Sequence, residues 1–249
     1  MLTNTNNVIA ATMLTGVYDV NRSQMIAEDD FTLVRDWYTS VEDNGLNGII
    51  FHNCFSDATV QKYQTGNISF SRVAYNSTIS PNAFRYIIYN QFLQQAGNAV
   101  QNIFFTDIAD VVALKNPFIQ PEFTQHPNTL FCGDEESTLD NEWMNNHSTF
   151  LRQHVAGYTQ YEAGYKNEIL LNCGVFGGNA KLIASLVSKL ANLHLTYTIH
   201  NKTPFTLDMG AFNFIVRTQF GTKLIHGMPV NTVFKKYEHQ RMDCWFRHK

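Results

Sequence analysis

Short apolar runs alternate with amphipathic stripes through the first half of the chain. Residues 8–13 form an apolar run that stops at Thr15 and Gly16, which predicts a buried strand followed by a loop. A second apolar run at residues 48–51 predicts another strand. Between them, apolar side chains recur with the i, i+3, i+4, i+7 spacing of a helix that packs on one face, at Val34, Trp37, Tyr38 and Val41. The order strand, helix, strand is typical of the opening of an α/β domain.

The same alternation continues toward the C-terminus. Ser80 and Pro81 predict a helix start, because serine caps helices and proline fits the first helical position. An amphipathic stripe over residues 182–190 predicts another helix. Further apolar runs predict strands at residues 103–105, 129–132, 169–173 and 223–225. Since no Pro-, Gly- or Ser-rich linker divides the chain, we expect one α/β domain over residues 1–249, with a mostly parallel mixed central sheet flanked by helices.

Composition and charge exclude several classes of partner. The 249 residues carry a net charge of −3, so the chain is not built to coat nucleic acid or an anionic membrane. Hydrophobic residues make up 44%, which excludes disorder as the main state. No apolar run approaches the roughly 20 residues of a membrane span, and the N-terminus does not resemble a secretory signal. We therefore expect a cytoplasmic protein whose four cysteines stay reduced and buried.

Two aspartates mark the most informative segment, NIFFTDIADVVALKNPF. The predicted strand at residues 103–105 delivers Asp107 and Asp110 at its carboxyl end, the edge at which parallel sheets bind ligands. Carboxylates there need a cationic partner, and Mg²⁺ or Mn²⁺ prefers oxygen ligands and commonly keeps substrate phosphates in its shell. The alternative is that one aspartate caps the following turn through its side chain. The segment alone leaves both interpretations open.

Three further segments carry candidate chemistry, each with a plainer alternative. The glycine-rich stretch at residues 171–178 either lets a ligand approach the backbone or forms a tight turn before a helix that starts near Asn179. Asp208 either deprotonates a substrate hydroxyl or caps a short helix. His248 and Lys249 suit a metal ion and a phosphate, or else they fray as ordinary terminal residues.

Together, these segments resemble a nucleotide-sugar glycosyltransferase of the GT-A fold. In the D-x-D motif of that family, an apolar strand, acidic residues and a second apolar stretch follow one another. Asp110 occupies the last acidic position, while Asp107 is displaced to give D-x-x-D. The order of the acidic segment, LNCGVFGG, DMGAFN, HGMPVNTVFKKYE and the final HK is similar to a subgroup found in bacteria and large DNA viruses.

The resemblance implies a single Rossmann-like domain whose residues 1–110 bind the nucleotide and whose residues 111–249 face the acceptor. It implies Mn²⁺ or Mg²⁺ on Asp107, Asp110 and His248, and a carboxylate beside the reacting sugar at Asp208. The residues implied to bind the donor or line its pocket are Thr12, Thr15, Gly16, Asp19, Arg85, Asn172, Gly174, Gly177, Gly178 and Lys249. The expected donor is a nucleoside-diphosphate sugar, specifically a UDP-sugar, and the acceptor is a glycan or another hydroxyl compound in a bacterial or virus-infected host cell.

Two other functions fit the same fold. A sugar nucleotidyltransferase usually carries a glycine-rich basic loop after its first strand, but residues 14–18 contain one glycine and no lysine. A non-catalytic carbohydrate-binding protein would have no need of the carboxylates at Asp107, Asp110 and Asp208. The sequence leaves open whether transfer would invert or retain the configuration of the sugar.

Overall fold

The computed structural model describes residues 6–19, 24–199 and 207–249, with the backbone alone described at residues 19, 198 and 199. The strands are β1 (Asn7–Met13), β2 (Val17–Asp19), β3 (Gln24–Ile26), β4 (Gly48–His52), β5 (Ile68–Arg72), β6 (Asn102–Asp107), β7 (Val111–Ala113), β8 (Leu130–Thr138), β9 (Ile169–Asn179), β10 (Leu224–His226) and β11 (Phe246–His248). The α-helices are α1 (Arg35–Asp43), α2 (Asp57–Tyr63), α3 (Pro81–Ala96), α4 (Pro121–Gln125), α5 (Glu142–His147), α6 (Thr149–His154), α7 (Tyr158–Tyr165), α8 (Ala180–His194) and α9 (Asp208–Phe220). Short 3-10 helices occupy Thr32–Val34, Gly97–Ala99, Pro117–Ile119 and Gly221–Lys223, and a π-helical turn occupies Leu195–Ile199.

A seven-stranded mixed sheet forms the centre of the fold, in the order β10-β8-β9-β6-β1-β4-β5. β1 pairs in parallel with β4 and β6, β4 pairs in parallel with β5, and β8 pairs in parallel with β10. β9 runs antiparallel to both of its neighbours, β6 and β8. The sheet is therefore mostly parallel, which confirms the predicted fold class.

Alternation along the central strands supplies a hydrophobic core on each face of the sheet. In β6, Ile103 and Phe105 belong to one core and Phe104 belongs to the other. α3, α8 and α9 cover the first face, while α1, α4 and the chain around Trp245 cover the second. Burial on both faces explains why these strands read as nearly continuous apolar runs.

The predicted helix signals form as expected. α1 buries Trp37 and Val41 from its apolar stripe. α3 begins at Pro81, and the hydroxyl oxygen of Ser80 accepts a hydrogen bond from the Ala83 amide at 3.3 Å. This cap fixes the start of the helix that carries Arg85, one turn further along.

The structure excludes two of the plainer alternatives that the sequence left open. The glycine-rich stretch is not a turn, because β9 continues through it to Asn179 before α8 begins. The last residues do not fray, since β11 pairs with β7 and buries Phe246 and His248. In both places the tertiary contact of a paired strand decides the conformation, and local propensity does not reveal it.

Three of the four cysteines are buried as predicted, and Cys54 is the exception. All four cysteines are free thiols, with Cys54 half-buried and the others buried. None of the helices in the described ranges is long and apolar enough to cross a bilayer.

Candidate functional site

The candidate site lies where the order of the central sheet reverses. From β1 the chain goes to β4 on one side, and it later returns to place β6 on the other side. In open α/β sheets such a switch point leaves a crevice beyond the carboxyl ends of the strands. A pocket of about 80 Å³ occupies this crevice and is lined by Thr12, Leu14, Pro81, Asn82, Arg85, Tyr89, Thr106 and Asp107.

Arg85 is the centre of a buried charge cluster in this pocket. Its Nη1 forms an ion pair with Asp107 Oδ1, and its Nη2 lies 3.3 Å from Asp208 Oδ2. Nη2 also lies 3.0 Å from the Cys173 sulfur. The Arg85 and Asp208 side chains are each less than a tenth exposed, whereas the Asp107 side chain is 34% exposed. With both carboxylates ionised, two negative charges face one positive charge, and Asp107 is the more accessible of the two carboxylates.

Burial and neighbouring charges shift the pKa values of the cluster in opposite directions. Burial alone lowers the pKa of Arg85, but Tyr86, Asp107, Cys173 and Asp208 outweigh it, and the guanidinium stays charged. Burial raises the pKa of Asp208, while Arg85 lowers it in part. Burial also raises the pKa of the Cys173 thiol far above its usual value, so this cysteine is an inert neutral group.

Gly174 brings Asp107 and His248 together. A methyl group built on Gly174 would lie 2.5 Å from His248 Cε1 and 2.7 Å from Asp107 Oδ2, both too close for a real side chain. The hydrogen of glycine therefore leaves a space that a carboxylate oxygen and an imidazole ring share. β9 contributes the glycine, β6 the aspartate and β11 the histidine.

His248 is a buried neutral imidazole. Its backbone amide donates to Thr232 Oγ1 at 3.1 Å, and its Nδ1 has no hydrogen-bond partner among the described residues. Burial lowers the pKa of His248 to about 4, although Asp107 raises it in part. At neutral pH the ring therefore has a nitrogen lone pair available to a metal ion.

Asn172 lies next to the same space and connects it to Glu135, a residue that no sequence motif singles out. Asn172 Oδ1 accepts a hydrogen bond from the Gly174 amide at 2.7 Å, and its Nδ2 donates to Glu135 Oε1 at 2.8 Å. Burial raises the pKa of Glu135. Glu135 lies on β8 near a shift in the β8–β9 register, and no spacing in the sequence reveals which residues such a shift brings together.

The loop after β1 is held in place by the side chain of Asn53, the residue that follows the neighbouring strand β4. The Thr15 amide donates to Asn53 Oδ1 at 2.8 Å, and Asn53 Nδ2 donates to the Thr15 carbonyl at 2.9 Å. Gly16 has a φ of +69°, a conformation that glycine adopts without strain. Asp19 ends β2, and its side chain lies outside the described residues. The loop therefore supports the edge of the pocket, which Thr12 lines directly.

Asp208 is the first residue of α9, and Leu207 occupies the N-cap position without a side-chain hydrogen bond. Asp208 is therefore not the N-cap residue, although its carboxylate does interact with the first amides of the helix, those of Asp208 and Met209. Its carboxylate points to Arg85 and also lies 3.8 Å from the Cys173 sulfur.

Asp110 and Lys249 lie beside the site rather than in the pocket. Asp110 is half-buried in the turn between β6 and β7, and its carbonyl accepts a hydrogen bond from the Lys249 amide at 2.8 Å. The Lys249 ammonium forms an ion pair with Asp36 on α1. The backbone contact places the C-terminus next to the acidic motif, Asp107 to Asp110. The charge of the lysine is directed toward α1.

Gly177 and Gly178 are not brought to the site. Gly177 pairs with Phe104, and a methyl group on it would lie 2.4 Å from the Phe104 ring. A methyl group on Gly178 would lie 2.5 Å from the Thr129 carbonyl oxygen. Since a strand rises about 3.3 Å per residue, Gly177 lies about 10 Å from Gly174 along β9. Close packing inside the sheet accounts for both glycines.

A divalent metal fits part of this site. In the described ranges of the chain, no group of three His, Cys, Asp or Glu side chains could hold a metal ion by itself. Asp107 Oδ2 and the His248 ring nevertheless lie against the same position at Gly174, and the ring atom nearest to it, Cε1, is the carbon between the two ring nitrogens. Such a pair suits a metal that takes its remaining ligands from water and substrate phosphates.

Comparison with known proteins gives no independent assignment: no protein-family model matches the chain, and no curated protein sequence is similar to it.

Proposed function

We propose that this chain is a metal-dependent glycosyltransferase that moves a sugar from a nucleoside-diphosphate sugar, with UDP-sugars as the expected donors, to a glycan or other hydroxyl acceptor. One observation carries the proposal. At the switch point of an α/β sheet, an accessible carboxylate, a buried guanidinium and a neutral imidazole converge, at Asp107, Arg85 and His248. This combination suits a diphosphate and a divalent cation bound together.

The diphosphate would bind between Arg85 and the start of α3. Pro81 and Asn82 line the pocket at the N-terminus of α3, where the helix dipole favours negative charge. Arg85 adds a full positive charge one turn further along. A pocket of about 80 Å³ is much smaller than a nucleotide sugar, so it would take the phosphate end while the rest extends along the sheet edge.

Asp107 and His248 would hold the metal ion, and the carbonyl contact between Asp110 and Lys249 would keep the C-terminal strand against the acidic motif. A bound Mn²⁺ or Mg²⁺ would neutralise the charge that develops on the departing diphosphate. The Arg85 guanidinium would stabilise the same charge from the other side.

Asn172 and Asp208 would shape the sugar side of the site. Asn172 fixes the backbone at Gly174, and Asp208 holds Nη2 of Arg85. The role of Asp208 as a base toward the acceptor stays a prediction. In this structure the Asp208 carboxylate is directed at Arg85, and its side chain is 8% exposed. The cytoplasm of a bacterial or virus-infected cell remains the expected location.

A donor-hydrolysis assay tests the proposal. Purified protein is incubated with a panel of nucleotide sugars in Mn²⁺ or in EDTA, and free sugar and nucleotide are measured. The proposal predicts slow hydrolysis of one donor class in Mn²⁺ alone, with a loss of about tenfold or more in Asp107→Asn.

Asp140→Asn is the matched control, since Asp140 is an exposed carboxylate outside the pocket, and it should hydrolyse the donor at the wild-type rate. Pyrophosphate-dependent exchange of the nucleotide in place of hydrolysis would indicate a nucleotidyltransferase. Absence of turnover with every donor would favour a non-catalytic carbohydrate-binding protein and contradict the proposal.

A further inference from the structure

Arg85 forms an ion pair with Asp107, the carboxylate ligand of the proposed metal ion. Its Nη1 pairs with Asp107 Oδ1, while Asp107 Oδ2 faces the space at Gly174. The carboxylate that would bind a cation is therefore already shared with a fixed positive charge. Because Asp107 is shared in this way, the affinities of the metal ion and the diphosphate for the proposed glycosyltransferase site are affected. The inference therefore rests on the proposed function.

A cation beside Arg85 would bind weakly. The guanidinium neutralises much of the Asp107 charge, and it also repels a divalent ion within a few ångströms of it. The other carboxylate of the cluster does not remove this repulsion, since Asp208 is buried behind Arg85 and already pairs with Nη2. In the absence of diphosphate, the main ligand of the metal ion, Asp107, is therefore already paired with Arg85.

Arg85 itself is not fully satisfied in this arrangement. Its Nε is buried and has no hydrogen-bond partner among the described residues, although the side chain is 9% exposed. A buried N–H without a partner costs free energy, and an anion would recover it. The pocket at Arg85 includes the N-terminal residues of α3, which favour an anion at the same place.

We propose that Arg85 makes metal binding and diphosphate binding depend on each other. Without diphosphate, Arg85 occupies Asp107 and keeps the metal site weak. A bound diphosphate draws Nη1 and Nε onto its oxygens, releases Asp107 Oδ1, and so strengthens the metal site. Asp208 retains Nη2 throughout and is the pivot of the exchange. By linkage, the metal favours the diphosphate by the same factor.

Calorimetric titrations with Mn²⁺ alone and with Mn²⁺ in excess inorganic pyrophosphate test the coupling, because pyrophosphate is a probe that requires no knowledge of the base or sugar. Removing Arg85 alone would leave Asp208 as an unpaired buried charge. Asparagine at this position carries no charge and keeps an oxygen that can accept the hydrogen bond from Nη2, so the comparison is between Asp208→Asn and Asp208→Asn with Arg85→Gln. The difference between these two proteins reports Arg85. Circular dichroism and melting temperature establish that both are folded.

The proposal predicts two changes of opposite sign when Arg85 is removed. Mn²⁺ alone should bind about tenfold tighter or more, because repulsion is relieved. Mn²⁺-pyrophosphate should bind about tenfold more weakly or worse, because charge-assisted hydrogen bonds are lost. The variant Arg85→Lys keeps the positive charge, so it should bind Mn²⁺ alone as weakly as the wild type does. This variant is used for the test if the double variant does not fold.

Arg217→Gln is the matched control, since Arg217 is equally buried and pairs with Glu168 away from the pocket. It should leave both affinities unchanged. If removal of Arg85 weakens both ligands, or leaves Mn²⁺ alone unaffected, the coupling is overturned while the proposed function stands. If the wild type binds no Mn²⁺-pyrophosphate at all, the coupling and the proposed metal site both fail.

Discussion

Buried ionisable side chains dominate the molecule at the residue scale. Arg85 is stable in the interior because carboxylates flank it, and Asp107 keeps an accessible oxygen because Gly174 has no side chain. Asp107 could be predicted, since the end of an apolar strand is visible in sequence. Cys173 and Glu135 could not, because they reach the cluster only through the pairing of β9 with its neighbours.

His194 is a second buried group whose protonation matters. Its ring stacks on Tyr86 with the ring centres 5.3 Å apart, and neither ring nitrogen has a partner in the part of the chain that the structure describes. Burial lowers the pKa of His194 to about 3. The native protein therefore keeps this imidazole neutral, whereas the unfolded chain takes up a proton below about pH 6.5.

We predict that His194→Phe reduces the acid sensitivity of the fold. Since the unfolded state binds the extra proton, His194 lowers stability progressively as the pH falls from about 6.5 toward 3. Phenylalanine keeps the stack on Tyr86 and does not titrate. Between pH 7.5 and 5.0, the free energy of unfolding should fall by about 2 kcal/mol less in the variant than in the wild type.

Urea unfolding at the two pH values provides the measurement. His126→Phe is the control, since it makes the same substitution at an exposed position. An equal loss of stability in His194→Phe and the wild type would show that His194 is not the buried neutral group described here.

At the scale of the element, β9 determines which glycines face the site. Its antiparallel pairing with β6 places Gly174 at the carboxyl edge and Gly177 against Phe104. Both glycines belong to one run of sequence, and the resemblance to GT-A glycosyltransferases implies that they line one pocket. Three residues of an extended strand separate them by about 10 Å, and the register between β6 and β9, which contacts between distant segments set, determines which of them meets Asp107.

We predict that Gly174→Ala weakens ligand binding, whereas Gly177→Ala lowers the stability of the fold. The first forces Asp107 and His248 apart, so binding of Mn²⁺ with pyrophosphate should weaken by about tenfold or more in protein that remains folded. The second overpacks Phe104 and should cost about 1–3 kcal/mol of stability, with ligand affinity of the folded protein unchanged.

Calorimetry and urea unfolding of the two variants make the comparison. Gly164→Ala is the control, because no atom lies within 4 Å of its added methyl group, and it should change neither property unfavourably. Loss of ligand affinity in Gly177→Ala at full stability would place that glycine in the site after all.

At the scale of the whole molecule, the sheet and its main helices follow from the hydrophobic pattern. Apolar runs and amphipathic stripes indicate most strands of the central sheet and the helices α1, α3 and α8. They do not indicate the small ribbons, β2 with β3 and β7 with β11, because a three-residue strand is too short to show a period. The equally short β10 is indicated only by its apolar run. The β7–β11 ribbon matters most, since it carries His248 back to the acidic motif.

The proposed function depends on a diphosphate and a divalent cation binding together at the edge of β1 and β6. Asp107 connects the two ligands, because it lines the pocket, pairs with Arg85 and faces His248 across Gly174. A direct measurement of binding tests this claim without requiring the acceptor or the sugar to be known.

That measurement is a calorimetric titration of UDP into the wild-type protein in Mn²⁺ and in EDTA, repeated with Asp107→Asn. Binding to the wild type should be at least about tenfold tighter in Mn²⁺ than in EDTA, and Asp107→Asn should lose that gain. Equal affinity for UDP with and without the metal, or an unchanged Mn²⁺ effect in Asp107→Asn, would contradict the claim.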